Sequence, residues 1–120
     1  MGIDAGIISC CERIRTELTH RHSECVYHRA LEVELRNRHI RYESERVVPV
    51  VYAGHSVGSV RVDLVVEGHL VVELKAVPRL LPCHEDQARK YMRLLGLGSA
   101  LLVNMASPGA LEYRELSVTN

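Results

Sequence analysis

The chain has 120 residues and a mass of 13.5 kDa, the size of one domain with its own core, so we expect a single domain over residues 1–120. Hydrophobic residues make up 47% and charged residues 25% of it, which excludes a disordered protein. Fifteen basic and fifteen acidic residues cancel, which argues against a protein that coats polyanions. The chain lacks an apolar run of the ~20 residues that span a bilayer and lacks a basic N-terminal segment, so we expect a cytoplasmic protein without membrane partners.

Apolar periodicity predicts two helices in the first third of the chain. The first has Asp4 as its expected N-cap, and its apolar stripe comprises Ile7, Cys11, Ile14 and Leu18. The second begins after Ser23 and ends near Asn37, and its apolar side comprises Tyr27, Leu31 and Leu35. Both patterns are typical of helices that cover one side of a core.

The rest of the chain alternates strand and helix patterns. Between about Ile40 and Leu74 the apolar period is two, and Pro49 and three glycines divide this stretch into three predicted short strands. A third helix is predicted from about His84 to Leu95, with glycines at its end. Apolar residues at 100–103 and 111–118 predict a buried strand and an edge strand. This order indicates an α/β domain with helices packed on a central sheet.

Two neighbouring predicted strands carry charges on the side opposite an apolar face. The first places Val60, Val62, Leu64 and Val66 on one face and Arg61 and Asp63 on the other, and the next places Glu73 and Lys75 opposite its apolar face. A three-residue turn through His69 keeps the apolar faces together. That register puts Asp63 opposite Glu73, and Arg61 opposite Lys75.

Like charges directly across a sheet are destabilising, so the Asp63–Glu73 pair needs an explanation. A divalent ion is one explanation, since carboxylate oxygens suit Mg²⁺ or Mn²⁺. A solvated face on which the acids pair with Arg61 and Lys75 is the other. The hairpin by itself favours neither.

Three polar residues on the predicted helices accompany this pair. Glu24 lies at the start of the second helix, and Gln87 and Tyr91 share one face of the third with Leu94. Taken singly, each has an ordinary structural explanation. Glu24 suits the positive end of the helix dipole, Gln87 is an unremarkable polar residue, and Tyr91 is a core ring with a hydrated hydroxyl.

Read together, these residues resemble the PD-(D/E)XK nuclease superfamily and, within it, the small GxxExxY proteins. Glu24-Cys25-Val26-Tyr27 is similar to the E-x-x-Y motif and Arg61-Val62-Asp63 to R-x-D. Residues 73–91 resemble the segment ELKAV…P-x-HE-x-Q-x-x-x-Y, and residues 101–104 resemble its following buried strand. Arg21 stands where the family has its leading glycine. This arginine either reshapes the approach to the Glu24 helix or contacts phosphate.

The resemblance implies a restriction-endonuclease-like α/β core, a central mixed β-sheet flanked by α-helices, and metal-dependent hydrolysis of phosphodiester bonds. The implied ligands of Mg²⁺ or Mn²⁺ are Asp63, Glu73, the Leu74 carbonyl and, directly or through water, Glu24. The implied catalytic residues are Glu24, Asp63, Glu73, Lys75 and Gln87. Lys75 would orient the attacking water or stabilise the transition state, and Gln87 would position water or phosphate. The implied supporting or phosphate-binding residues are Tyr27, Arg61 and Tyr91.

The resemblance also implies a nucleic-acid substrate, with DNA favoured over RNA, and a homodimer by analogy with related nucleases. The absence of Trp and Phe argues against readout by base stacking. One candidate basic patch, or else a solvated helix end, comprises Arg36, Arg38, Arg41 and Arg46. Two alternatives remain open: a catalytically silent nuclease-fold binding or assembly module, and an activity on nucleotides rather than polymers.

Overall fold

The structure is a computed structural model and describes residues 2–118. Its helices are α1 (Ile3–Glu17), α2 (Glu24–Asn37) and α3 (Pro82–Leu95). Its strands are β1 (Tyr42–Tyr52), β2 (His55–Val66), β3 (Leu70–Lys75), β4 (Ser99–Asn104) and β5 (Glu112–Ser117). The predicted order of elements is confirmed. Met1, Thr119 and Asn120, which complete the predicted domain, lie outside the described residues.

The five strands form one mixed sheet in the order β1-β2-β3-β4-β5. Neighbouring strands are antiparallel except β3 and β4, which are parallel and are joined through α3. A parallel pair requires such a crossover, and a helix is its usual form. The prediction of a central mixed sheet flanked by helices is therefore confirmed. Across residues 2–118, the structure contains no helix with the length and apolar character needed to cross a membrane.

Two apolar clusters hold the layers together. The first packs α1 and α2 on the sheet, and its helical members are Ile7, Cys10, Cys11, Ile14, Tyr27, Leu31 and Leu35. The second packs α3 against the sheet, and its members include Val48, Val62, Val65, Val71, Ala88, Tyr91 and Met92. The predicted stripes of α1 and α2 are confirmed except at Leu18, which is half-buried. On α3 the buried side holds Met92 beside Tyr91, and Leu94, which was expected to share that side, is exposed.

The helix ends show which boundary signals were correct. Gly2 rather than Asp4 is the N-cap of α1, and Asp4 lies within the first turn, where its charge suits the helix dipole. Ser23 is the N-cap of α2, as predicted. The helix α3 begins earlier than predicted, at Pro82, because the first helical position tolerates proline. It ends at Gly96, whose φ of 67° gives the left-handed cap that glycine adopts without a steric penalty.

The region between Ile40 and Lys75 contains three strands, as predicted, but two of them are longer than the short strands expected there. Strands β1 and β2 span 11 and 12 residues and form one long hairpin. Pro49 did not end a strand because β1 lies at the sheet edge, where a missing N–H is tolerated. Gly58 did not end one either, since it pairs with Val50 beside a bulge. The hairpin exposes several apolar side chains toward its tip: Val47, Val51, Tyr52 and Val57.

The predicted register of the β2–β3 hairpin is confirmed. Leu64 pairs with Val72, and the two pairs that follow it lead into a turn over residues 67–69. The ladder extends no further toward Lys75, so the expected Arg61–Lys75 pair is not part of it. The expected continuous apolar face of β2 was also wrong. Val62 packs in the α3 cluster, whereas Leu64 packs in the α1–α2 cluster, so the alternation of faces is interrupted between them.

Candidate active site

Asp63 and Glu73 form side-chain to backbone hydrogen bonds between β2 and β3, at the point where the backbone ladder ends. The Asp63 N–H donates to Glu73 Oε2 at 2.9 Å, and the Leu74 N–H donates to Asp63 Oδ2 at 3.1 Å. Each acid thus accepts a backbone N–H of the opposite strand beyond the last residue pair of the ladder. The alternation of faces on β2 is interrupted at the same position. Both carboxylates consequently lie side by side at the end of the β2–β3 pair.

The buried carboxyl group of Glu73 is held in an unfavourable electrostatic environment. Only 3% of Glu73 is exposed. Burial, followed by the negative charge of Asp63, raises the pKa of Glu73 to about 8, although the Asp63 N–H and the Lys75 ammonium both lower it. Glu24 contributes a smaller raising effect. Its surroundings therefore disfavour the charged form of Glu73, and a bound cation would relieve that penalty.

A chain of hydrogen bonds joins the end of β3 to α3. Lys75 Nζ donates to Gln87 Oε1 at 2.7 Å, and Gln87 Nε2 donates to the Tyr91 hydroxyl at 3.0 Å. Gln87 and Tyr91 lie one helical turn apart, so both reach the same side of α3. Burial, and then the charge of Glu73, raises the pKa of Tyr91, which keeps its hydroxyl neutral. The amide of Gln87 is thereby fixed with its oxygen toward the ammonium group.

Glu24 lies in the first turn of α2 and lines a pocket of about 160 Å³ together with Asp63. Cys25, His28, Arg29, Glu32 and Glu45 line the rest of it. His28 Nε2 lies 2.8 Å from Ser44 Oγ and 3.2 Å from Glu32 Oε2, which ties α2 to β1. The structure thus brings Glu24 near the Asp63 side of the carboxylate pair.

Sequence reasoning did not identify Glu45 as part of this pocket. It lies across from Asp63, between the paired residues Ser44–Leu64 and Arg46–Val62. Its φ of 52° is unusual for a residue other than glycine and turns it out of the regular strand pattern. A lone glutamate on an edge strand is ordinarily a solvated side chain, so the sequence contained no signal for this position.

The donor set fits a hard divalent ion through two carboxylates. Within residues 2–118, no group of three or more His, Cys, Asp and Glu side chains is arranged to hold an ion. Mg²⁺ commonly uses only one or two carboxylates and completes its shell with water and phosphate. Asp63, Glu73 and the Leu74 carbonyl would supply such oxygens, and a cation would relieve the penalty that burial and Asp63 place on the charged form of Glu73. Among residues 2–118, Glu24 does not form a three-acid cluster with these two carboxylates, although its charge acts on Glu73.

The structure shows the surroundings of two predicted supporting residues, Tyr27 and Arg61. Tyr27 is 3% exposed, and its hydroxyl accepts a hydrogen bond from the His22 N–H at 3.0 Å. Its ring therefore fixes the loop before α2. Arg61 is exposed on β2, opposite Val47 of β1. The structure places it two residues from Asp63 on the same strand.

The candidate basic patch is neutralised by neighbouring acids. Ion pairs join Arg36 to Glu32 at 3.8 Å, Arg38 to Glu34 at 3.4 Å, Arg41 to Glu67 at 3.6 Å and Arg46 to Glu43 at 3.0 Å. Each arginine of the candidate patch therefore has a carboxylate partner, which favours the alternative of a solvated, ion-paired surface.

Comparisons with known proteins agree with this geometry. The sequence profile described as the PD-(D/E)XK nuclease superfamily matches residues 2–116. No curated protein matches the chain. Among solved structures, the one titled "Crystal structure of SSO0001" superposes with a TM-score of 0.57 at 18% sequence identity and shows similarity of fold. The match covers 95% of this chain and 66% of that one, so the chain spans slightly less than two thirds of that protein.

The profile match extends over nearly the whole chain and includes every residue of the carboxylate pair and of the Lys75–Gln87–Tyr91 chain. The mixed sheet and its flanking helices agree with the restriction-endonuclease-like core that the resemblance implied. On these grounds the chain belongs to the PD-(D/E)XK nuclease superfamily.

Proposed function

We propose that the chain is a metal-dependent nuclease that hydrolyses phosphodiester bonds, with DNA as its preferred substrate. The observation that carries the proposal is the junction of β2 and β3, where buried Glu73 and half-buried Asp63 are held by hydrogen bonds near a lysine that is bonded to Gln87. Superfamily membership supports the same chemistry.

Asp63, Glu73 and the Leu74 carbonyl would hold Mg²⁺ or Mn²⁺, with Glu24 contacting it through water. When bound, the ion supplies a more acidic water and neutralises charge on the reacting phosphate. The chain's own contribution is to fix the oxygens in place, since Asp63 and Glu73 are anchored on backbone N–H groups of the opposite strand. Such anchoring lowers the cost of arranging ligands during the reaction.

Lys75 would act on the substrate through its ammonium group. One of its three N–H donors is occupied by Gln87 Oε1, so two remain for a phosphate oxygen or a water. Gln87 limits the motion of the ammonium group, and Tyr91 in turn fixes Gln87. The expected result is a positive charge held beside the reacting phosphate.

A catalytically silent binding or assembly module is the second candidate, and one observation favours it. Asp63 and Glu73 close the β2–β3 junction with their own hydrogen bonds, which is a structural role that needs no metal. This role does not explain the hydrogen bond between Lys75 and Gln87, so the enzyme is the stronger proposal.

The test is a cleavage assay on labelled single- and double-stranded DNA and RNA with Mg²⁺, Mn²⁺ or EDTA. The variants are Lys75→Ala and Lys90→Ala, because Lys90 is the other lysine of the chain and lies exposed on α3. We expect metal-dependent cutting by the wild type and by Lys90→Ala, and its loss in Lys75→Ala. The polymer that is cut fastest identifies the substrate class.

Other outcomes select the alternatives. Absence of cutting by all three proteins, together with absence of Mn²⁺ binding by calorimetry, would establish the silent module. Hydrolysis of nucleotides without cutting of polymers would move the activity to small substrates. Equal cutting by all three proteins would identify a contaminant.

We further propose that the protein acts as a homodimer in the cytoplasm. Two copies would present two sites to the two strands of a duplex, as the proposed DNA substrate requires for a double-strand break. The mass in solution, measured by size-exclusion chromatography with light scattering, tests the dimer, and microscopy of a tagged chain tests the location. A mass of one chain would overturn the dimer.

A further inference from the structure

A second pocket, of about 170 Å³, lies between the end of α1, the loop before α2 and the segment after β4. Its lining residues are Arg15, Leu18, Thr19, His20, Arg21, Tyr27, Met105, Ala106 and Ser107. This lining contains two arginines and a histidine and no carboxylate. The pocket beside Asp63 has the opposite character, since four acids line it. We call this second pocket the arginine pocket.

Neutral acceptors hold both guanidinium groups of the arginine pocket. Arg21 Nη2 donates to the Ala76 carbonyl at 2.8 Å. Arg15 Nη2 donates to the carbonyls of Ser107 and Gly109 at 2.7 and 2.8 Å, and its Nη1 donates to Ser107 Oγ at 3.3 Å. The ion pairs found among residues 2–118 use other cations. Both positive charges are therefore positioned by the backbone without being neutralised.

The remaining donors suit a phosphate group. A guanidinium has five N–H donors, so Arg21 retains four and Arg15 retains two after the bonds to the protein. Arginine binds phosphate through paired N–H groups, and a side chain already fixed by the protein loses little freedom on binding. A pocket with two such groups and no acid is selective for anions.

The arginine pocket adjoins the candidate active site along the chain. Ala76, which accepts the Arg21 hydrogen bond, directly follows Lys75, and Arg21 precedes Glu24 by three residues. We propose that the arginine pocket binds a phosphate of the nucleic acid next to the one that is cleaved. This inference rests on the proposed nuclease function and gives Arg21, which replaces the family glycine, a role in positioning the substrate.

The first test measures binding of a labelled duplex at several KCl concentrations, in the Lys75→Ala protein so that the duplex stays intact. Each phosphate contact contributes about 0.9 to the slope of log K against log [salt]. We expect Arg21→Gln and Arg15→Gln each to reduce that slope by about 1. Arg13→Gln removes the same charge from an exposed arginine of α1 that pairs with Glu34, and it should leave the slope unchanged.

The second test uses inorganic phosphate and does not depend on nucleic-acid binding. A ligand that binds only the folded state raises the melting temperature. At equal ionic strength, phosphate should raise the melting temperature of the wild type and of Arg13→Gln more than chloride does. This additional increase should be lost in Arg21→Gln. Arg21→Lys keeps a charge and a donor, and it should restore part of the increase.

A third comparison separates an internal phosphate from a terminal one. If Arg21→Gln weakens binding to duplexes with and without a 5′-phosphate alike, the pocket holds an internal phosphate, as proposed. Weakening only for the phosphorylated duplex would overturn that choice and identify a terminal phosphate as the ligand.

The results also distinguish this proposal from the proposed function. The protein could be stabilised by phosphate in an Arg21-dependent way and yet neither cut nor bind nucleic acid. That result would support an anion-binding pocket and would refute its role in binding the substrate. Identical salt slopes and phosphate responses in Arg13→Gln, Arg15→Gln and Arg21→Gln would overturn the pocket itself. The two arginines would then only fasten loops, which a lower melting temperature without added phosphate would show.

Discussion

Glu73 Oε2 accepts a hydrogen bond from the Asp63 N–H at 2.9 Å, while Asp63 Oδ2 accepts one from the residue after Glu73 at 3.1 Å. The two acids of the proposed metal site are thus also the residues that close the β2–β3 junction. A substitution that removes the acceptor oxygen disturbs the strands as well as the chemistry. Variants that keep an oxygen and remove the charge separate the two roles.

Asp63→Asn is expected to abolish metal binding while preserving the fold. The asparagine oxygen still accepts the Leu74 N–H, so the free energy of unfolding should change by less than about 1 kcal/mol. Asp63→Ala leaves that N–H without its partner and should cost about 1–3 kcal/mol. Urea denaturation measures both values, and calorimetry with Mn²⁺ measures the metal affinity. Unchanged Mn²⁺ affinity in Asp63→Asn would remove Asp63 from the ligand set.

The metal-free protein should lose stability as the pH rises from about 4.5 toward 8. The pKa of Glu73 is raised in the folded state to about 8, from 4.5 as its ordinary value, because it is buried and lies beside Asp63. In that window the folded state retains a proton that the unfolded state releases, so stability falls with pH by up to about 1.4 kcal/mol per unit. Below the window both states are protonated, and the penalty disappears.

Glu73→Gln is the control for this pH dependence, because its amide oxygen can still accept the Asp63 N–H while it cannot ionise. Urea denaturation in EDTA at several pH values gives the difference between wild type and variant, in which the other titrating groups cancel. The difference should grow from pH 5 to pH 8 in favour of the variant. A constant difference would show that Glu73 titrates normally.

Sequence patterns predicted the parts of the structure that depend on local periodicity. The stripe of Tyr27 and Leu31 identified the buried side of α2, and the apolar faces together with the Glu67–His69 turn determined the register that brings Asp63 to Glu73. These features follow from spacing along one element or across one short turn. The register was correct although β2 does not keep one apolar face, because the short turn determines which residues pair.

Features that depend on contacts between distant segments could not be predicted in the same way. The bond from Arg15 to Ser107 joins residues 92 positions apart, and the ion pair of Arg41 with Glu67 joins residues 26 positions apart. Glu45 has a φ of 52° at the position of β1 that lies across from Asp63. Such contacts are set by the final packing, which a pattern of residue types does not specify.

Tyr91→Phe is expected to slow catalysis without weakening substrate binding. It removes the hydroxyl that accepts the Gln87 Nε2–H at 3.0 Å, so the amide loses its fixed orientation toward Lys75. Loss of a hydrogen bond of about 1 kcal/mol corresponds to a decrease in kcat of about 5-fold. Steady-state kinetics should show an unchanged KM.

A comparison with Gln87→Ala tests whether Tyr91 acts through Gln87. If it does, the double variant should be no slower than Gln87→Ala alone, because effects within one chain of contacts do not add. Additive losses in kcat would indicate that Tyr91 acts independently of Gln87. An increase confined to KM would indicate that Tyr91 contacts the substrate.

Asn104→Leu should destabilise the loop that follows Lys75. Asn104 is fully buried and pairs with Lys75 across β4 and β3. Its amide accepts the Val77 N–H at 3.1 Å and donates to the Val77 carbonyl at 2.8 Å and to Glu112 Oε1 at 3.0 Å. Leucine has a similar size and none of these bonds, so we expect a loss of about 2–4 kcal/mol in urea denaturation. A loss below about 1 kcal/mol would show that water replaces the amide.

Asn104→Leu should also change how the free energy of unfolding depends on pH in acid. The hydrogen bond from Asn104, with a further one from the Leu80 N–H, lowers the pKa of Glu112 in the folded state. A carboxyl group with a lowered pKa stabilises the fold above its ordinary pKa, and this contribution is lost as the pH falls through the folded-state value. The stability advantage of the wild type over Asn104→Leu should therefore shrink below about pH 4. Titration of Glu112 by NMR should show a higher pKa in the variant, and an unchanged pKa would mean that Asn104 does not stabilise the carboxylate.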